Sequence, residues 1–305
     1  MAEAAEIRVG PAGWSYDDWA GTVYPAKRPR GFHQASYLAD YFDTIELNVT
    51  FYRPVPAATA QAWLERVAHN PHFVFTAKLW QQFTHERDMS AANQRAVRPA
   101  MELLRDAGKL GALLAQFPWS FKNFPENRKY LEKLAEHFRD FPLVLEVRHA
   151  SWNKPEFYGW LAERGVGFCN IDQPVIGRSL RPSERATAAV GYVRLHGRNY
   201  EQWFQEREEG KGAEQRYNYL YSLQELEPWA ERVRRVAAGA QSTFAVTNNH
   251  FRGKAVTNAL QLIHLLKHSR VKVPPPLLQL YPEELEPIAS RAATTPSLFS
   301  SSGIT

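Results

Sequence analysis

Along the chain, short runs of β-branched and aliphatic residues alternate with longer stretches whose apolar positions recur at helical spacing. The short runs fall at residues 7–14, 43–51, 72–80, 111–119, 142–149, 166–172, 190–198 and 241–249. Residues 58–68, 93–107, 128–138, 155–164, 225–238 and 254–268 read as helices between them. Strands that alternate with helices predict βαβ units and a parallel sheet. Eight such units are the number that closes a TIM-type barrel. The competing architecture is an open doubly wound sheet, but no G-x-G-x-x-G follows any strand. Neither a Walker phosphate loop nor a G-x-S-x-G elbow is present. The expectation is a single (β/α)8 barrel over residues 1–272, with a Pro- and Ser-rich, partly flexible extension over 273–305. Polar insertions at 177–185 and 198–215 follow strands and are expected over the C-terminal mouth.

Alternate side chains of a strand face opposite sides. Here one face is aliphatic, as in Ile45 and Leu47 or Leu143, Leu145 and Val147, and predicts contact with the helices. The other face starts apolar and turns polar toward the strand end. It carries Glu46 and Asn48, then Thr76 and Lys78, Gln116, Glu146 and Arg148, Asn170 and Asp172, Arg194 and His196, and Asn248. Polar groups are therefore expected to converge inside the C-terminal mouth, where barrels place their active sites. Burying unpaired ionised groups costs several kcal/mol, so the pattern points to a functional pocket more than to an inert plug.

Composition narrows the setting. The chain has 305 residues, of which 44% are hydrophobic, enough for a sizeable core. A net charge of +5 mildly favours anionic partners. The single cysteine, Cys169, excludes an intrachain disulfide and a cysteine-based zinc site. It sits in an apolar run and reads as a small buried hydrophobe. No stretch approaches the ~20 apolar residues of a membrane helix, and the first ten residues lack a signal-peptide pattern. A cytoplasmic protein with no membrane partner is expected.

Several motifs occur in order. They are Gly13-Trp14-Ser15-Tyr16 with Trp19 and Tyr24-Pro25, Thr44-Ile45-Glu46-Leu47-Asn48, Thr50-Phe51-Tyr52-Arg53, Phe75 with Lys78, and Thr84-His85. Gln116-Phe117-Pro118, Glu146-Val147-Arg148-His149, Ser151-Trp152, Asp172, Arg194-Leu195-His196-Gly197-Arg198 and Asn248-Asn249 follow. With these the chain resembles the YecE-like family, the domain of unknown function 72. Val246 stands where that family usually has an aromatic, and Ala12 stands among the early glycines. The resemblance implies a barrel and the importance of these positions, and it implies no reaction.

The chemistry has to come from the residues. Lys78, Arg148 and Arg194 suit a phosphate or carboxylate. Glu146 or Glu46 is the candidate base and His196 the candidate acid, with Asp172 a third inward carboxylate. Asn48 and Asn248 are expected to orient the substrate beside Gln116, while Arg53, His85, His149 and Arg198 add to the rim. Trp14, Tyr52 and Trp152 are candidate stacking surfaces, each with core capping as the plainer alternative. The expected activity is a hydrolase or lyase acting on a phosphate-containing substrate, such as a nucleotide, nucleic acid or sugar phosphate. A non-catalytic nucleic-acid-binding protein and a sugar or sugar-phosphate isomerase are the alternatives. A divalent metal on Glu46, Glu146, Asp172 and His196 ranks below no metal, because nearby cations repel it. For Lys78 an ion pair with Glu46 or Glu146 is expected ahead of a Schiff-base role.

Overall fold

A computed structural model of the chain describes residues 5–200 and 215–290. Its strands are β1 (Glu6–Pro11), β2 (Thr44–Leu47), β3 (Val74–Lys78), β4 (Leu110–Gln116), β5 (Leu143–Glu146), β6 (Gly167–Asp172), β7 (Val190–Leu195) and β8 (Ser242–Thr247). All neighbouring strands pair in parallel, in sequence order from β2 to β8 and then β1. A bridge between Ala12 and Glu46 joins β1 to β2, and the Gly13 N–H donates to the Glu46 carbonyl at 2.8 Å. These contacts close the ring, giving a single (β/α)8 barrel.

The helices are α1 (Gln34–Leu38), α2 (Val49–Tyr52), α3 (Ala57–Val67), α4 (Ala91–Asp106), α5 (Pro125–His137), α6 (Pro155–Glu163), α7 (Leu223–Ala238) and α8 (Lys254–Lys267). Local chemistry explains their starts. Ser222 and Glu225 form a reciprocal capping box for α7, and Pro125 and Pro155 open α5 and α6, where a missing N–H is no loss. In α4, Val97, Ala100, Met101 and Leu104 form the buried stripe. The sixth connection departs from the repeat, because residues 173–189 cross from β6 to β7 without a helix.

Two close approaches require glycine. A Cβ on Gly10 would lie 1.9 Å from the Thr44 carbonyl oxygen at the β1–β2 seam. One on Gly111 would lie 2.1 Å from the Phe244 ring, which fills the bottom of the barrel. A register shift between Phe75 and Thr76 in the β3–β4 ladder accompanies Gly111.

The second predicted strand stops early. The Thr50 hydroxyl is shared between the carbonyls of Leu47 (2.9 Å) and Lys78 (2.7 Å), and residues 49–52 turn into α2. Such local hydrogen bonding competes with strand continuation. At the other end of the chain, α9 (Pro275–Leu280) and α10 (Pro282–Leu285) pack on the barrel. Leu277 is fully buried, and Val271 N–H donates to the Ile288 carbonyl at 2.9 Å. Among the described residues no helix is long and apolar enough to cross a membrane.

Candidate active site

The inward face of the barrel ends in a ring of buried charges. Arg194 on β7 is fully buried. Its Nη2 lies 2.7 Å from Glu46 Oε1 on β2, and its Nη1 lies 2.6 Å from Glu146 Oε2 on β5. Nη1 also donates to Gln116 Oε1 at 3.2 Å. Glu46 receives a further bond from the Tyr192 hydroxyl at 2.9 Å. Arg148, at the end of β5, clasps Glu146 Oε1 through Nε (3.0 Å) and Nη2 (2.8 Å). Burial pushes the Glu146 carboxyl up, but Arg194, Arg148 and His196 outweigh it and hold it well below the usual carboxylate range.

His196 completes this layer. Its Nε2 is 3.2 Å from Glu146 Oε1 and its Nδ1 is 3.0 Å from Asn248 Nδ2. The neutral Nε2–H tautomer satisfies both, donating to Glu146 and accepting from Asn248. Burial, reinforced by Arg194 and Arg148 against the opposing pull of Glu146, lowers the ring to about 3. His196 is therefore a neutral spacer at physiological pH.

Above this floor opens a cavity of about 890 Å³. Lys78, Arg148, Gln116, Asn48, Gln173 and Asn248 supply its polar groups, while Trp14, Tyr16, Phe51, Tyr52, Trp119 and Tyr217 supply its aromatic rings. His85, His250, Gln81 and Arg216 also face it. Among the described residues no carboxylate lines this cavity. Asn48 Oδ1 and Gln173 Oε1 are buried acceptors with no protein partner among the described residues.

Lys78 ends β3 and is 9% exposed. The expected ion pair is not formed: among the described residues Nζ has neither a hydrogen bond nor a carboxylate at ion-pair distance. It lies 4.0 Å from the centre of the Phe51 ring. Burial first, then Arg194, lowers the amine from 10.5 to about 7, against the opposing pull of Glu46 and Glu146. His85 meets the same Phe51 ring edge-on at 5.1 Å. Burial and the nearby Lys78 and Arg148 lower its ring to about 4.

The structure thus brings Glu46, Lys78, Gln116, Glu146, Arg148, Arg194, His196 and Asn248 together, with Trp14, Asn48, Tyr52 and His85 on the cavity wall. Glu46, Glu146 and His196 lie fully buried beneath that wall.

Other expectations need correction. Asp172 does not point inward. Cys169 and Ile171 pair with Tyr192 and Arg194, so they hold the inner face of β6, and Asp172 pairs with Leu195 on the outer face. Asp172 accepts from Arg198 Nε at 2.8 Å, and Arg198 continues to Glu225 Oε1 at 3.2 Å. Arg198 is thus a brace between β6, β7 and α7, outside the cavity wall. The proposed metal set accordingly loses a member, and among the described residues no group of three or more His, Cys, Asp or Glu is placed to hold a metal ion.

Trp152 is fully buried, donating Nε1–H to the Phe121 carbonyl at 2.7 Å and stacking on the Phe121 ring. Arg53 is exposed at the end of α2, outside the wall. His149 is buried, and its Nδ1 caps the turn at Ser151. Trp203, Arg207 and Lys211, within the polar insertion expected over the mouth, lie outside the described residues.

Sequence reasoning about site residues missed Tyr16, Phe51, Gln173, Arg216, Tyr217 and His250. Tyr16 and Phe51 stand inside motifs of the early strands, and His250 directly follows the Asn248-Asn249 pair. Gln173 is one step beyond β6, where the strand parity was misread. Arg216 and Tyr217 follow a polar insertion and carry no periodic signal.

The closed ring of parallel strands and the polar cavity at their C-terminal ends define a TIM-type barrel protein with a single-chain pocket. Within that class, the chain belongs to the family described as "Protein of unknown function DUF72", which matches residues 8–281. It is 30% identical over 287 residues to the UPF0759 protein YunF of Bacillus subtilis, spanning 90% of this chain and 100% of that one. A DUF72 family protein of Thermotoga maritima has a similar solved structure, with a TM-score of 0.74 and 32% identity over 86% of this chain and 99% of that one. A second, from Enterococcus faecalis, gives a TM-score of 0.74 at 25% identity over 88% and 98% of the respective chains.

Proposed function

We propose that the chain is a lyase acting on a small, hydroxylated, anionic substrate of the sugar-phosphate class. The observation that carries this is the make-up of the cavity wall. Lys78 and Arg148 bring positive charge to it, two carboxamide oxygens without a partner among the described residues (Asn48 and Gln173) suit hydroxyl donors, and aromatic rings offer faces to a sugar. Arg148 is held in place by Glu146, which suits a guanidinium that receives an anion without moving. Glu46, Glu146 and His196 act as positioning residues beneath the wall.

Of the two reaction classes expected from the sequence, cleavage without water fits better than hydrolysis. The described wall presents no carboxylate to activate a water, whereas it presents the amine of Lys78 and the neutral ring of His85. Calorimetric titration of the purified chain with ribose 5-phosphate, glyceraldehyde 3-phosphate, inorganic phosphate and a short single-stranded oligonucleotide tests the reading. Sugar phosphates are expected to bind at least ~10-fold more tightly than phosphate, by more than 1.4 kcal/mol. Arg148→Met should remove that preference. Tightest binding to the oligonucleotide, unaffected by Arg148→Met, would overturn it.

A further inference from the structure

Among the described residues, the charged side chains buried as deeply as Lys78 are Glu46, Glu146, Asp172 and Arg194, and each of these has an oppositely charged partner. Lys78 alone has none, although two carboxylates lie close enough to influence it. An unpaired buried ammonium is costly, and pairing or replacement by an apolar residue would relieve the cost. Its backbone is fixed by its place as the last residue of β3 and by the Thr50 hydroxyl, which donates to its carbonyl oxygen at 2.7 Å. Its side chain runs past the face of Phe51 to the cavity. A side chain kept unpaired, on a rigid strand end, at the wall of a cavity is arranged as a nucleophile and not as a strut.

We infer that Lys78 forms a Schiff base with the carbonyl carbon of the substrate. The inference rests on the lyase reading above and names its covalent step. The unprotonated amine adds to the carbonyl carbon, forming a C–N bond as the carbonyl π pair moves to oxygen. Proton transfer from nitrogen to that oxygen gives a carbinolamine. The C–O bond then breaks, and the oxygen departs as water after taking a second proton. In net terms one ammonium and one carbonyl give one protonated imine and one water, so no oxidant or further reactant enters.

The product cation keeps its place over the Phe51 ring, within the field of Glu46 and Glu146. It withdraws electrons from the adjacent C–C or C–H bond, the step a lyase needs. His85, on the same side of the cavity and neutral, is the wall group suited to take a proton during these steps. At pH 7 roughly half of an amine titrating at about 7 is unprotonated, against well under ~0.1% for an ordinary lysine.

The test is reductive trapping. The intact chain is incubated at pH 7 with glyceraldehyde 3-phosphate, dihydroxyacetone phosphate, ribose 5-phosphate or pyruvate, then treated with sodium borohydride and analysed by intact mass and peptide mapping. A single saturable adduct mapping to Lys78 is expected with at least one probe, absent from both Lys78→Met and Lys78→Arg. Circular dichroism establishes that the two variants are folded, and protection of the wild-type amine from trinitrobenzenesulfonate by the bound probe gives a second readout. Failure to label Lys78 with every probe, or labelling spread evenly over surface lysines, overturns the inference. If sugar phosphates bind in an Arg148-dependent way and Lys78 stays unmodified, the covalent step falls and the anionic-substrate reading stands. If Lys78 is trapped equally well in Arg148→Met, the covalent step stands and the anionic-substrate reading falls.

Discussion

Arg194 and Glu46 are 148 positions apart in sequence, yet Arg194 Nη2 lies 2.7 Å from Glu46 Oε1 across the barrel axis, with both side chains fully buried. Taking these charges out of water costs several kcal/mol each, which the second carboxylate on Arg194 and the Tyr192 hydroxyl on Glu46 offset. Arg194→Met should therefore destabilise the chain by about 3–5 kcal/mol, because it leaves two carboxylates facing each other in a dry interior. Urea unfolding followed by tryptophan fluorescence measures this, and a loss under ~1 kcal/mol would show that the pair is not the axis of the fold.

Arg148 occupies the other side of Glu146 but reaches the cavity, with a side chain 12% exposed. Glu146 keeps Arg194 and His196 when Arg148 is lost. Arg148→Met should accordingly cost about 1–2 kcal/mol of stability and remove most of the affinity for an anionic ligand. Paired unfolding and calorimetric measurements separate the two effects.

Lys78 gives a pH dependence of defined sign. Its folded-state amine titrates at about 7 instead of 10.5. Below about pH 7 the folded protein carries the full cost of the buried charge. Between about 7 and 10.5 the unfolded chain holds a proton that the folded chain does not, so stability attributable to this residue rises with pH. Lys78→Met should stabilise the protein at pH 6 by on the order of a few kcal/mol and by less at pH 9.5. Denaturant midpoints at the two pH values report the difference, and an equal effect at both would refute it.

The histidines act at the acid side. His196 titrates at about 3, and His85 and His250 at about 4, all below the ordinary 6.5. The unfolded chain takes up these protons first as pH falls below 6.5, so the stability they contribute above 6.5 is lost progressively toward pH 3–4. His196→Gln should flatten the dependence of the melting temperature on pH between 6.5 and 4. An unchanged slope would show that His196 protonates without cost.

Asp172 and Arg198 supply a contrast. Their contact braces the ends of β6 and β7 on the side facing α7, away from the cavity. Asp172→Asn should lower the melting temperature by several degrees, on the scale of ~1 kcal/mol or more, while ligand affinity changes less than ~3-fold. Comparable losses of affinity in Asp172→Asn and Arg148→Met would place Asp172 back in the site.

The placement of Asp172 also shows where the sequence stops being readable. Six strands, β2 to β5, β7 and β8, read in the correct sense because their inner faces turn polar toward the strand end. In β6 the polar residues Asn170 and Asp172 hold the outer face and Cys169 and Ile171 the inner one, so the alternation there points the wrong way. Its polar outer residue Asn170 is satisfied by the backbone of the β6–β7 connection, accepting from Arg185 N at 2.7 Å and donating to Arg185 O at 2.8 Å. No periodicity anticipates a polar residue that is paired with a loop. Lys78 illustrates a second limit: its position at the mouth is legible, but that the nearby carboxylates Glu46 and Glu146 are paired with Arg194 is not. The short turn of α2 is a third, because Val49, Thr50, Phe51 and Tyr52 all favour strands and the Thr50 hydroxyl decides otherwise.

Arg194 ties two properties to one side chain. It holds the strands across the axis, and its charge adds to burial in lowering the neighbouring amine of Lys78. Mutational drift cannot retune that amine through Arg194 without loosening the barrel, and a compensating change at Glu46 or Glu146 would disturb both again. The side chains that can change without touching this network are those that follow the strands, such as Tyr52, Trp119, Arg216 and Tyr217 on the cavity wall.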